Sequence, residues 1–367
     1  MEYFEKFTSN TYAGSGNQLY FSTNGNIKTG RLFYKISVGG SFNYSLLFSN
    51  IIDSTYADGK VSHKNLICDE WTIHGMKLGR CKELFVPGDI TKTVTEDVDY
   101  DFKEVTFKGE KTKKVMPGEF FTTDPLMMKF DKGDYLCLEV TFSGEMIPYH
   151  EESLLPVLVK EGDKFRYSKF MPFASMIGCD RVIKSRISYL GDSITQGIGA
   201  KPNSYLHWNA ILSDKLGDNY SYWNLGIGFG RANDAASDGA WLYKAKQSDI
   251  VFVCYGVNDI LRGLSEEQIK ADLTCITETL KACGKKVILQ TIPPFDYTGD
   301  YIGKWNRLNS YILDELKNKV DFVFDNRGIL GNKDNPEKAI YGGHPNEEGG
   351  DIWARALFNE LEENNIL

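Results

Sequence analysis

The feature that most constrains this chain is a change of hydrophobic period near Arg186. Before it, short apolar runs of strand length are separated by Gly, Asn and Asp: Arg31–Val38, Tyr44–Ser49, Glu104–Phe107, Leu126–Phe130 and Tyr135–Phe142. After it, strand candidates at Arg186–Leu190, Tyr220–Leu225, Asp249–Tyr255, Lys286–Ile292 and Asp321–Phe324 alternate with helix-length segments at about 204–216, 235–246, 266–283, 301–319 and 346–363. Short strands broken by turns, with few helical patterns, read as an antiparallel sandwich or jelly roll. Strands that alternate with helices read as a parallel sheet with right-handed crossovers. Ile250–Cys254 is apolar throughout, as a strand covered on both faces should be. The expected architecture is therefore a β-sandwich, jelly-roll-like domain over 1–178 followed by a three-layer α/β/α domain over 179–367.

Composition narrows the classes open to such a chain. Hydrophobic residues make up 42% and charged residues 25%, an ordinary globular balance rather than a disordered one. The net charge of −8 argues against a broad nucleic-acid surface, which needs a basic stripe to neutralise phosphates. No basic start leads into an apolar export segment, and no apolar run is long enough to span a bilayer. Seven scattered cysteines fit free thiols in a reducing compartment, so a cytoplasmic location is expected. The five histidines show no zinc-ligand spacing, and the glycines lack the dinucleotide pattern with its acidic partner. Neither metal nor cofactor is expected.

In a parallel sheet, ligand sites form at the carboxyl ends of the strands. Asp192 and Ser193 follow the first predicted strand, Gly226, Gly228 and Gly230 the second, and Gly256, Asn258 and Asp259 the third. His344 comes after the fifth, just before Pro345, which suits a first helical position. These four clusters are far apart in sequence but converge on one sheet edge. Asp192 is expected to brace its loop by accepting backbone N–H bonds. Arg231, next to the glycine cluster, is a candidate pocket residue. His150, in Pro148–Glu152 near the end of the first domain, is a weaker candidate to approach the same face. His207, Trp208, Trp241 and Trp305 read as packing residues.

The four clusters resemble the sequence blocks of the SGNH, or GDSL-type, hydrolases. Gly191-Asp192-Ser193-Ile194-Thr195 resembles the nucleophile block, and Asn224-Leu225-Gly226-Ile227-Gly228-Phe229-Gly230 the glycine block. Gly256-Val257-Asn258-Asp259 and His344-Pro345 resemble the remaining two, in the family's order, over about 186–363. The resemblance implies a serine esterase in which Ser193 attacks a carbonyl and His344 takes its proton. It also implies an oxyanion site built from the Ser193 amide, a glycine amide and the Asn258 side chain. Phe229 stands where the family commonly has its last glycine. A one-residue shift would make Gly230 the donor, with Gly228 competing.

A second departure concerns the histidine's orienter. The family usually has Asp three residues before the histidine, whereas this chain has Tyr341 there. A Ser193–His344 dyad is the leading expectation, with Tyr341 as a supporting residue. The alternative is a carboxylate from elsewhere, with Asp334, Glu337, Glu347 and Glu348 the local choices. A sandwich ahead of such a domain is similar to two-domain bacterial carbohydrate acetylesterases, some of which also lack the Asp. The resemblance implies removal of acetyl groups from xylan- or mannan-derived oligosaccharides. A short-chain lipid or aryl esterase and a non-catalytic carbohydrate-binding protein are the competing classes. A homo-oligomer in which one copy completes a neighbour's cleft is open but carried by no residue pattern.

Overall fold

A computed structural model of the chain describes residues 2–57, 61–82, 89–91 and 99–367. Among the described residues the first half forms two facing antiparallel sheets. One runs in the order Thr8–Ser9, Met176–Cys179, Gly40–Ser49, Phe120–Thr122, with Leu126–Phe130 also paired to Gly40–Ser49. The other runs Lys164–Tyr167, Val157–Glu161, Lys28–Lys35, Tyr135–Gly144, Trp71–Cys81, Lys103–Glu104, with Lys113–Val115 also on Trp71–Cys81. The strand period of two decides which side chains meet between them. Leu32 and Tyr34 share one core with Tyr44, Leu46 and Phe48 and with Leu136, Leu138, Val140 and Phe142. The result is the expected jelly-roll-like sandwich.

The second half is a five-stranded parallel sheet. Its order is Tyr220–Gly226, Ser185–Gly191, Ile250–Cys254, Lys286–Gln290, Phe322–Phe324, so the second strand lies outside the first. Connections leave the first strand toward one side and the third toward the other, which opens a crevice at the switch point between them. Helix Trp208–Leu216 packs on Glu347–Glu363, where the Trp208 and Trp353 rings stack 4.8 Å apart. Glu266–Ala282 packs along Asp300–Asp314. Ile250–Cys254 is buried at every position, as its unbroken apolar run requires. Cys179 still belongs to the antiparallel sheet and Ser185 begins the parallel one, so the changeover lies in 180–184.

Several predicted bounds shift for local reasons. The helix expected from 204 starts at Trp208, because Asn203 and Tyr205 take left-handed φ values of 59° and 58°. The helix expected over 235–246 splits into Ala232–Ala235 and Ala240–Ala245, with Asp238 left-handed at 52° between them. That over 301–319 ends its α-helical part at Asp314 and finishes as a 3₁₀ turn, Leu316–Asn318. Of Glu104–Phe107, only Glu104 lies in a strand; Val105 and Phe107 are buried beneath a turn.

The two halves are joined by buried chemistry rather than by a linker alone. Tyr3, Phe4, Phe7 and Tyr12 belong to the core of the parallel-sheet domain, with the Phe4 ring 5.9 Å from Trp223. The hairpin of Ile51–Ala57 and Val61–Ile67 reaches the segment after the glycine cluster. There Ser54 Oγ donates to Asp234 at 2.7 Å, Asn65 Nδ2 donates to Ser237 at 2.6 Å, and Lys244 pairs with Asp53 at 2.6 Å. Both ends of that last pair are sealed from solvent, at 1% and 0% exposure.

Candidate active site

The site begins with a turn that only glycine can open. At Gly191, the last residue of the first strand, an added Cβ would lie 2.1 Å from Thr195 Oγ1 and 2.7 Å from the Cys254 carbonyl. Asp192 then caps the short helix Ser193–Gln196, its side chain accepting from the Ile194 N–H at 3.0 Å. This is the bracing role expected of Asp192. Burial, with Asp259 repelling it, pushes its carboxyl up to about 7. The cap presents Ser193 at the first helical position, 8% exposed.

His344 arrives from the far edge of the sheet. Its Nε2 lies 2.8 Å from Ser193 Oγ, the distance at which a neutral imidazole protonated on Nδ1 accepts a serine hydroxyl. Burial lowers the imidazole pKa, which keeps it neutral and ready to accept a proton. The backbone behind it is tied to the nucleophile loop. An added Cβ at Gly199 would sit 2.5 Å from the His344 carbonyl, and Glu347 accepts the Lys201 N–H at 3.0 Å.

Among the described residues no carboxylate pairs with His344. Glu347 is engaged by Lys201, Glu337 is buried elsewhere, and Asp334 and Glu348 are exposed. Tyr341 makes no side-chain hydrogen bond among the described residues; its carbonyl accepts from Asn346, and its Cβ packs under Gly349. Its contribution is to the fold of the histidine loop, not to the imidazole. What steers the ring instead is Phe295, packed edge-on with centroids 5.2 Å apart and planes at 81°. Phe295 follows the fourth strand after Pro293-Pro294, and its position at a strand end was the only sequence signal for it.

The glycine cluster forms a β-turn closed by the Gly230 N–H donating to the Ile227 carbonyl at 3.0 Å. That bond corrects the expectation that Gly230 offers its amide to an oxyanion. Gly230 supplies its carbonyl instead, which accepts from Asn258 Nδ2 at 2.9 Å and so aims the amide group. An amide nitrogen carries two protons, and the second stays available for a reacting oxygen. Phe229 occupies the third position of the turn with φ 59°, a place that turns of this hand usually give to Gly or Asn. Its N–H has no partner among the described residues. Gly228 is locked differently: the Glu152 carboxylate lies where its Cβ would be, and Gln18 Nε2 donates to its carbonyl at 3.0 Å.

Two supports hold this turn. Asn224 Oδ1 accepts the Gly226 N–H at 2.9 Å while its Nδ2 reaches the carbonyls of Tyr12 and Gln196, each at 3.3 Å. Asp259 accepts the N–H groups of Ala232 and Asn233 at 3.0 and 3.3 Å, and burial raises its carboxyl to about 7. The pocket candidate Arg231 is tied to a buried carboxylate. Its guanidinium is turned onto Asp234, with Nη2 2.6 Å from Oδ1, and Asp234 is held in turn by Ser54. His150 lies wholly buried behind Gln196, and burial lowers its pKa to about 4. The residues of its segment that reach the site are two positions further on, at Glu152. His207 is likewise buried, its ring packed under Gly197, while Trp241 and Trp305 donate to the carbonyls of Leu225 and Ile292 as packing residues.

A serine–histidine pair at the switch point of a parallel α/β sheet is the arrangement through which serine nucleophiles are activated. Residues 189–352, somewhat less than half of the chain, match the GDSL-like Lipase/Acylhydrolase family. Similar solved structures include the psychrotrophic esterase EstA from Pseudoalteromonas sp. (20% identity, 50% of this chain and 99% of that one, TM-score 0.39). A member of the lipolytic protein G-D-S-L family from Veillonella parvula shows 21% identity over 47% of this chain and 96% of its own, with a TM-score of 0.40. An acetyl xylan esterase, AlAXEase, shows 20% identity over 48% and 99%, with a TM-score of 0.39. None of the curated proteins matches the chain.

Proposed function

We propose that the protein is a serine O-acetylesterase acting on short acetylated oligosaccharides through a Ser193–His344 dyad. The observation that carries the chemistry is the 2.8 Å contact between Ser193 Oγ and His344 Nε2. Ser193 Oγ attacks the acetyl carbonyl carbon as its proton passes to Nε2. The carbonyl oxygen becomes an oxyanion that accepts from the Ser193 N–H, the Phe229 N–H and the second proton of Asn258 Nδ2. When the tetrahedral intermediate collapses, the carbon–alkoxide bond breaks and His344 returns the proton to the leaving sugar hydroxyl. Water, deprotonated by His344, then attacks the acyl-enzyme and releases acetate. A donor already in place when charge develops contributes on the order of 3 kcal/mol to such a step.

The substrate class rests on the two-domain resemblance, on the missing orienting Asp and on the polar groups that the sandwich brings to the glycine turn. Seven cysteines, all free, favour a reducing compartment, where imported oligosaccharides rather than intact polymer would be the substrate. Acetate release from acetylated xylo- and manno-oligosaccharides, set beside hydrolysis of p-nitrophenyl acetate and octanoate, tests the reading. A preference for sugar acetates that disappears in Ser193→Ala supports it. A preference for octanoate would make the protein a lipid esterase, and full activity in Ser193→Ala would remove the site altogether.

A further inference from the structure

We infer that Gln18, from the sandwich domain, is a positioning residue that sets the direction of the oxyanion-binding amide at Phe229. The inference builds on the Ser193 esterase reading and adds the first domain to its catalytic apparatus. In a trans peptide the carbonyl and the following N–H point in opposite directions, and among the described residues every peptide is trans. The peptide between Gly228 and Phe229 is the middle unit of the β-turn, held by its neighbours only at the turn's two ends. Such a unit can rotate between two orientations with little change elsewhere. Gln18 Nε2 donates to the Gly228 carbonyl at 3.0 Å and fixes one of them. With the carbonyl drawn toward the sandwich, the Phe229 N–H faces away from it.

The amide of Gln18 cannot be turned the other way. Its Oε1 accepts the Glu152 backbone N–H at 3.1 Å, and a backbone N–H can only donate. Its Nε2 faces two acceptors, the Gly228 carbonyl and, at 3.3 Å, Glu152 Oε2. Gln18 is fully buried, and its own N–H is bound to the Tyr149 carbonyl at 2.9 Å. The frame closes on the nucleophile: Gln196, at the end of the Ser193 helix, donates its Nε2 to the Glu152 carbonyl at 2.6 Å. Thus Gln18 and Glu152, which flank the paired strands Leu19–Phe21 and Ile147–Tyr149 of the first domain, bridge the glycine turn and the nucleophile helix. Glycine at 228 leaves room for this, since a Cβ there would displace the Glu152 carboxylate. Phe229 holds a left-handed φ without being glycine, so the turn needs an outside clamp, and Gln18 is that clamp.

The test is Gln18→Met, which keeps length and packing but removes the donor, and Gln18→Glu, which keeps the acceptor and turns the other atom away from a carbonyl. Both are assayed on p-nitrophenyl acetate and on an acetylated xylo-oligosaccharide, with melting temperature measured alongside. The oxyanion is common to every ester, so kcat should fall about 10- to 100-fold on both substrates, with KM within about twofold. A purely structural role would lower the melting temperature without separating kcat from KM. A kcat within about threefold of wild type in both variants, a loss carried by KM, or a loss on one substrate alone would overturn the assignment. Wild-type protein that hydrolysed no ester would instead overturn the esterase reading on which it stands.

Discussion

At the scale of single residues, the site separates side-chain from backbone contributions. Asn258→Ala removes a side-chain donor and should lower kcat by about 10²–10³. Phe229→Gly leaves the N–H in place and relieves a left-handed φ, so turnover should stay within a few-fold of wild type; an equal loss in both variants would contradict the backbone role. The base gives a pH signature. Burial lowers the His344 pKa from its usual 6.5, and the base works only when neutral. The acidic limb of kcat/KM should therefore fall below pH 6.5, and a limb above it would point to a carboxylate partner that raises the imidazole. Ser193 and Asn258 were legible because each closely follows a strand, and His344 because it stands in a recognisable block before the last helix. The use of Gly230 was not, because which atom of a turn residue is already bonded depends on the turn's closure. Gln18 gave no signal at all: an interior glutamine near the amino terminus looks like any other polar residue until its partner is known.

At the scale of elements, the hairpin Ile51–Ala57/Val61–Ile67 fastens the sandwich to the segment that follows the glycine turn. Its anchor is the sealed Asp53–Lys244 pair, in which Asp53 also accepts the Asn17 N–H at 2.9 Å. Asp53→Ala leaves a buried ammonium without a partner and should cost about 3–5 kcal/mol. Replacing both ends with apolar residues of similar volume should recover most of that loss in chemical denaturation. If the single and double replacements were equally destabilising, the ion pair would not be the reason for the anchor's strength. The regular elements were legible from period alone, as the helices Glu266–Ala282 and Glu347–Glu363 show to within a residue. The breaks at Tyr205 and Asp238 were not. Tyr205 is drawn into a left-handed conformation by contact with the other domain, where its hydroxyl accepts the Lys35 N–H at 3.4 Å. Such tertiary reasons are invisible to a window of neighbouring residues.

At the scale of the whole molecule, the sandwich is part of the enzyme rather than an attachment. It contributes Tyr3, Phe4 and Tyr12 to the core of the parallel-sheet domain, Asp53 to the buried ion pair at the interface, and Gln18 and Glu152 beside the glycine turn. Calorimetry should accordingly show one cooperative unfolding transition for the full chain; two resolved transitions would mean that the domains are independent. The change of period near Arg186 announced two architectures, and both are present, but it said nothing of how deeply they share a core. The claim on which the rest depends is that Ser193 is the nucleophile and His344 its base. Reaction with a p-nitrophenyl alkylphosphonate, followed by peptide mass mapping, tests it most directly. One phosphonyl group on Ser193, formed about 10³-fold or more slowly in His344→Ala and absent in Ser193→Ala, is the expected result. Equal labelling of Ser193→Ala, or esterase activity that survives with Ser193 unmodified, would contradict it.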